Sequence, residues 1–413
     1  MPLGEQGRRR KEVERLIKER NQIFAMNVAA TTSRHCRATA ANFSVESSID
    51  REHIQIRENQ EERDIQVQDP PVDNDLERES ETELVISERS FAFASLGSKI
   101  GRTDTTAVPK HTVRQVIQRL REFAWKCDQS TTEILLNEFN ELPKPDMTRC
   151  KACQEPHNVK KNRYRNVPCI DSSRVLLTLQ SGNGCDYIHA NRIDYPTLGS
   201  KYIITQGPLA STVSSFWQMV WQEDIYCIVM LCKAIEKGKR KSAEYFSPIS
   251  DMTISHGPLG VKLKEREWEG PIIVSTLELE YSQESRQIKH YQWRHWSDWT
   301  APTESTLLAL LKKVRGHSAV VVHCSAGVGR SGTFMALEMC LQDLANGLPI
   351  NVNQTVVSLR HCRALAVQTF DQYLSIHRAI LSVGEKHGVI RKADVAQFYR
   401  ICEQRKNVSS ENV

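Results

Sequence analysis

Apolar residues recur at helical spacing near the start of the ordered sequence. Val113, Val116, Ile117, Leu120, Phe123 and Ala124 fall on one face, which predicts an amphipathic helix over 113–127. A second helix follows, with Thr131 and Thr132 as candidate N-caps, Leu135, Leu136, Phe139 and Leu142 on one side, and Pro143 as the stop. Further on, short apolar runs at 175–178, 202–205, 228–231, 272–274 and 320–323 read as strands. Between them, 215–221 and 331–344 read as helices, and 393–402 allows one more. Strands alternating with helices predict an α/β fold with a central twisted mixed sheet flanked by helices.

The first hundred residues follow a different pattern. A short basic helix is expected over 8–24, with Val13, Leu16, Ile17 and Phe24 near one face. From 31 to 110 the chain is polar, interrupted by proline and poor in aromatics, and acidic residues outnumber basic ones between Asp50 and Glu88. Such sequence cannot bury enough apolar area to offset chain entropy. The expected division is a largely disordered N-terminal extension over 1–110, a folded domain over 111–385 and a C-terminal tail over 386–413. The extension reads as a solvated tail or as an arm for docking an unknown partner.

Composition narrows the class. The chain has 413 residues, 40% of them hydrophobic and 25% charged, with a net charge of +5. That small excess gives no argument for a nucleic-acid partner. Twelve cysteines are scattered through apolar surroundings, as at Cys227, Cys232 and Cys340, which fits reduced core thiols and not a disulfide framework. Cys150, Cys153 and His157 form one local cluster, but no second ligand pair stands at zinc spacing, so no metal is expected. No apolar run reaches the roughly 18–20 residues of a membrane span. No secretory signal follows the basic start, and Pro2 excludes N-myristoylation. These absences point to the cytoplasm or nucleus, which makes the sequons at Asn42, Asn353 and Asn407 irrelevant.

The chemistry concentrates in AVVVHCSAGVGRSGTF, residues 319–334. A β-branched run ends at His323, a small-residue loop follows, and an amphipathic helix opens at Ser331. A helix start offers free N–H groups and positive potential, so it favours an anion. Ser325, Ala326, Gly327, Val328 and Gly329 could let successive amides curl around a tetrahedral dianion. Gly327, Gly329 and Gly332 also spell the dinucleotide pattern GxGxxG. A binding-only loop has no use for a cysteine at its mouth or an arginine inside it, and the acidic residue expected about 20 positions on is missing. The better description is Cys324, five residues, Arg330. The same amides favour a thiolate at Cys324, a good nucleophile toward phosphorus. Arg330 can grip two phosphoryl oxygens and gains strength as charge develops in the transition state. Ser331 is placed to donate its hydroxyl to the sulfur.

HCSAGVGRSG closely resembles the signature loop of the protein tyrosine phosphatases, cysteine-based enzymes, and the resemblance runs from about residue 111 to 385. It makes that span the catalytic domain, of non-receptor type, acting on phosphotyrosine in proteins through a cysteinyl-phosphate and needing no cofactor or metal. HYQWRHWSDW at 290–299 resembles the mobile acid loop of that family. Asp298 then protonates the leaving oxygen and later activates water. VQTFDQYLSIHRAI at 367–380 resembles the glutamine motif, with Gln368 and Gln372 positioning that water. Arg360 and Arg363 fit the LRxxR pattern before it. KNRYRNV at 161–167 resembles the phosphotyrosine recognition loop: Tyr164 would stack on the substrate ring, and Asn166 would bond the peptide backbone. DYIHAN at 186–191 departs from the usual motif in having His189 for Asn. In EKGKRKSAEYF at 236–246, Glu236 would orient Arg330 and Lys241 would approach Asp298. His323 supports the loop.

One departure bears on rate. Ser297 stands where proline is usual and Thr300 where glycine is usual. Losing the proline costs roughly 0.4–1 kcal/mol of preorganisation. A Cβ on Thr300 at positive φ would cost about 1–2 kcal/mol more. The expectation is a slower enzyme. The alternative is a pseudophosphatase that holds phosphotyrosine with little turnover. A dual-specificity or lipid phosphatase is disfavoured, because the loop carries no lysine and Tyr164 deepens the pocket.

Overall fold

The computed structural model describes residues 110–179 and 186–410. The basic helix expected at 8–24 and the acidic stretch at 50–88 lie outside the described residues.

The first described helix, α1 (Lys110–Gln129), carries the apolar stripe read from the sequence, and Val116, Leu120 and Phe123 are buried. Helix α2 (Thr132–Asn140) is capped by Thr131, whose side chain accepts from the Ile134 N–H. Its end lies three residues before Pro143, as the missing donor of proline requires.

The sheet then assembles. Its strands are β1 (Arg174–Leu176), β2 (Tyr187–Ile193), β3 (Lys201–Thr205), β4 (Cys227–Met230), β7 (Thr253–His256), β8 (Leu259–Glu269), β9 (Ile272–Tyr281), β10 (Glu284–Trp293) and β11 (Ala319–His323). The order across the sheet is β1-β2-β3-β11-β4-β10-β9-β8-β7. The centre, β3-β11-β4-β10, is parallel and both flanks are antiparallel. A separate hairpin, β5 (Ile235–Glu236) with β6 (Lys239–Arg240), follows β4.

Period-two alternation divides the parallel strands between two cores. Val320 and Val322 face one core with Tyr202, Ile204, Cys227 and Val229. Ala319 and Val321 face the other with Ile203, Ile228 and Met230. Helix α3 (Val213–Gln222) covers the second face through Phe216, Trp217 and Val220. The first face packs against α1, α2 and the later helices: α4 (Glu304–Val314), α5 (Gly329–Ala345), α6 (Val352–Cys362), α7 (Phe370–Lys386) and α8 (Ala396–Ser410). Burial on both faces makes these strands continuous apolar runs, which is why they were readable.

Two expectations change in extent. The run at 272–274 belongs to a strand of ten residues, β9, paired along its length with β8 and β10. The second half of β8, KEREWE, is exposed and charged, so neither alternation nor an apolar run marked it. The segment expected as a tail after 385 returns to the core: Ile390, Val395, Phe398, Ile401 and Cys402 are all buried against it. No described helix is long and apolar enough to cross a membrane.

Candidate active site

The parallel centre of the sheet sets the site. β11 ends at His323, the loop 324–328 turns, and α5 begins at Gly329, so its free first-turn amides face the loop. Cys324 is 3% exposed, and its sulfur accepts the Gly327 N–H at 3.2 Å. Gly327 has φ +67°, and a Cβ there would stand 2.1 Å from the Thr205 carbonyl oxygen. Only glycine fits both conditions. The Ser331 hydroxyl, expected to bond the sulfur, has no partner, and the amide of Gly327 takes that role.

The loop is held from behind. Arg363 is fully buried and donates to the carbonyls of Gly327 at 3.0 Å and Ala326 at 2.9 Å. It also donates to Asn191 Oδ1 at 2.7 Å and lies 3.0 Å from Nδ1 of His189. Burial, then the neighbouring guanidinium, drives His189 down to about 3, so its ring is neutral and can accept from that cation. The Val328 carbonyl accepts from Gly332 and Val367, and the Ser325 carbonyl accepts from Gly207. The small-residue loop is thus anchored mainly through its carbonyls.

Arg330 is 0% exposed. Its two terminal nitrogens donate to Glu236 at 2.7 and 3.1 Å, a bidentate pair, and Nη1 also donates to the Trp296 carbonyl at 2.8 Å. Nη2 lies 3.2 Å from Asp298 Oδ1, while Nε has no partner. Burial opposes the charge, but the Glu236 bond and the nearby Cys324 raise the Arg330 pKa above its ordinary value. Lys241 Nζ donates to Asp298 Oδ2 at 2.8 Å. Partial burial works against that ammonium too, and the Asp298 bond outweighs it. The β5–β6 hairpin and the residue after it therefore bring Glu236 to Arg330 and Lys241 to Asp298.

The acid loop differs in detail from its sequence reading. Positive φ falls on Trp299, at 68°, and Thr300 is absent from the positive-φ residues. Thr300 instead bonds the Ser297 carbonyl through its hydroxyl at 2.9 Å, and its own carbonyl accepts Trp296 Nε1 at 2.9 Å. The strain expected at Thr300 lies one residue earlier, on an exposed indole.

Gln372 fills two structural roles: its Oε1 accepts the N–H of Gln368 at 3.0 Å and of Thr369 at 3.3 Å, capping α7. Its Nε2 is buried without a partner. Gln368 Oε1 would lie 3.0 Å from a Cβ on Gly329, which places it against the start of α5. Arg360 donates to the carbonyls of Ala366 and Val367, fixing the turn that presents Gln368.

Tyr164 reaches the same loop, with its hydroxyl 2.8 Å from Ser325 Oγ. Asn166 is exposed two residues on. Residues that local pattern did not flag hold Tyr164 there. Arg163 donates to the carbonyls of Gly207, Pro208 and Arg240, and its N–H bonds Gln206 Oε1 at 2.8 Å. Gln206 in turn donates to the Lys161 carbonyl. The signal available was Arg163 itself, an arginine inside the motif that carries Tyr164.

A buried thiol before a helix start, a guanidinium with free donor capacity and a carboxylate thus stand together around one loop. The family model for protein-tyrosine phosphatase matches residues 158–382, and the chain belongs to that family. Human tyrosine-protein phosphatase non-receptor type 9 is 38% identical over 257 residues, covering 57% of this chain and 43% of that protein. Rat tyrosine-protein phosphatase non-receptor type 2 is 39% identical over 243 residues, covering 56% and 58%. The chain thus spans less than two thirds of these relatives. A crystal structure of the catalytic domain of human protein tyrosine phosphatase non-receptor type 18 aligns with TM-score 0.57 at 29% identity, covering 63% of this chain and 99% of that one.

Proposed function

We propose that the chain hydrolyses phosphotyrosine in proteins by two displacements at phosphorus. The observation that carries this is the convergence on Arg330, which meets Glu236 and Asp298 beside the Cys324 loop. In the first step the Cys324 thiolate attacks phosphorus, the P–O bond to the tyrosyl ring breaks, and Asp298 in its acid form gives the leaving oxygen a proton. In the second step water attacks the cysteinyl-phosphate, Asp298 takes the water proton, and the thiolate leaves with inorganic phosphate. Arg330 and the loop amides hold the equatorial oxygens throughout. Gln368 and Gln372 would hold the water; the unpartnered Nε2 of Gln372, beside the start of α5, supports this reading.

Tyr164 supports phosphotyrosine over phosphoserine. Its hydroxyl lies 2.8 Å from Ser325 in the loop after Cys324, and on this reading its ring stacks on the substrate ring and leaves a shorter phosphoserine side chain out of reach of Cys324. Residues 111–385 are the expected catalytic unit, of non-receptor type, working in the cytoplasm or nucleus. For the N-terminal arm the two readings remain a solvated tail and an arm that docks an unknown partner. No observation specifically favours the pseudophosphatase reading.

The test compares hydrolysis of matched phosphotyrosine and phosphoserine peptides by the full chain and by Cys324→Ser. Phosphate release from the phosphotyrosine peptide by the unmodified chain alone is expected. A wild type no faster than Cys324→Ser would refute the enzyme reading, and equal rates on both peptides would refute the specificity.

A further inference from the structure

Behind the phosphate loop lies a buried polar chain that the two displacements do not use. The Tyr245 hydroxyl stands 2.6 Å from Nε2 of His290 and 2.9 Å from Nε2 of His323. Nδ1 of His323 stands 3.2 Å from the carbonyl oxygen of Cys324. All three side chains are buried. The chain links β10, the segment after β6 and the end of β11 to the residue that carries the sulfur. Met230 Sδ, 3.6 Å from the same hydroxyl, is a weak acceptor by comparison.

Proton placement follows from the ends. A carbonyl oxygen only accepts, so His323 carries its proton on Nδ1 and donates to Cys324. A neutral imidazole has one N–H, so Nε2 of His323 is bare and accepts the Tyr245 O–H. The Tyr245 oxygen then accepts Nε2–H of His290. Nδ1 of His290 is left as a lone pair, and it is the buried atom without a partner. A bare lone pair is tolerable there, whereas an orphan N–H is rare. The reverse direction fails at both ends: it sets a lone pair against the Cys324 carbonyl and strands an N–H on His290.

Both rings are neutral at working pH. Burial first, then His323 and Arg266, bring His290 down to about 3. Burial also dominates at His323, and although its bond to Cys324 opposes, Arg163 and Arg330 help bring it to about 4. Burial holds Tyr245 in its protonated form.

We propose that His290 is a positioning residue for the reaction. Through Tyr245 it fixes the tautomer of His323, so that one N–H always holds the Cys324 carbonyl and the backbone that mounts the sulfur. A carbonyl oxygen carries partial negative charge where a thiolate must form. Engaging it with a preset donor removes that repulsion and costs no rearrangement during the reaction. The role rests on Cys324 as nucleophile.

The test combines spectra with kinetics on the full chain. Long-range proton–nitrogen NMR of the imidazoles should show His323 protonated on Nδ1 and His290 on Nε2 between about pH 5.5 and 8. His290→Leu removes the donor to Tyr245. It should lower kcat about fivefold at unchanged KM, the scale of one lost hydrogen bond, and show His323 in mixed tautomers. His290→Gln puts an N–H where Nε2 stood and should recover kcat to within about twofold. Equal kcat for the Leu and Gln variants, or wild-type His323 protonated on Nε2, overturns the proposal. If His290→Leu does not fold, the wild-type spectrum and the Gln variant still decide. A wild type with the assigned tautomers and no turnover would overturn the phosphatase reading instead.

Discussion

Gly327→Ala is the substitution whose cost the structure sets most directly. The new Cβ would stand 2.1 Å from the Thr205 carbonyl oxygen, 2.6 Å from its carbon and 3.0 Å from the Gln206 nitrogen, at a φ of +67°. The left-handed conformation costs an alanine about 1–2 kcal/mol. Ordinary carbon–oxygen contact needs about 1 Å more room, and forcing backbone apart in a packed site costs about 1–3 kcal/mol. Together these give about 2–5 kcal/mol. If the end of β3 yields, the loss appears as stability, a fall in Tm of about 3–8 °C for a domain of this size. If the loop yields, the Gly327 N–H leaves the sulfur, and losing a hydrogen bond to a charged group lowers kcat/KM about 10–100-fold. Thermal melts and phosphotyrosine-peptide kinetics on the same preparations should show the sum divided between the two. Gly199→Ala is the control, because nothing lies within 4 Å of its Cβ position and its φ is not positive. The reasoning is wrong if Gly327→Ala melts within about 2 °C of wild type and keeps kcat/KM within about twofold.

Thr300→Gly should not speed turnover, since Thr300 has no positive φ to relieve and the change deletes its bond to Ser297; a faster enzyme in steady-state assays would contradict this. Arg163→Ala should raise KM for a phosphopeptide about tenfold and change kcat little, because three carbonyl bonds behind Tyr164 are lost; an unchanged KM would count against it. Acid should destabilise the fold early. Burial holds His189 and His290 near 3 and His323 and His377 near 4, below their ordinary value of 6.5. The unfolded chain therefore binds more protons, and stability present above about pH 6.5 is lost as pH falls toward 4, by up to about 1.4 kcal/mol per pH unit for each ring. Urea midpoints at pH 7 and pH 5 would check this, and equal midpoints would refute it.

What the sequence made legible was local. The β11–loop–α5 unit could be read from residues 319–344, because strand, small-residue turn and helix start are contiguous and each carries its own signal. Its partners could not be found that way. Glu236 and Arg330 are 94 positions apart, and Tyr164 and Ser325 are 161 apart, so only resemblance to a family joined them. Periodicity also passed over β8, where charged residues cover an exposed half-strand, and the helix expected over 393–402 gave no sign that Phe398 and Ile401 pack into the core. The backbone strain assigned to Thr300 was placed by analogy with a glycine position, and a side chain's identity does not report the φ of its neighbour. His290 and Tyr245 were silent for a related reason. A proton chain is set by distances across three elements, and none of its members forms a recognisable spacing.

The Asp298–Arg330 contact has a consequence for the loop that carries it. One oxygen of Asp298 lies 3.2 Å from Nη2 of Arg330 and the other 2.8 Å from Nζ of Lys241, so two cations meet one carboxyl group. The segment 297–300 is thereby fastened to two separate elements, to α5 through Arg330 and to the end of the β5–β6 hairpin through Lys241, so a change at either cation is felt by the loop.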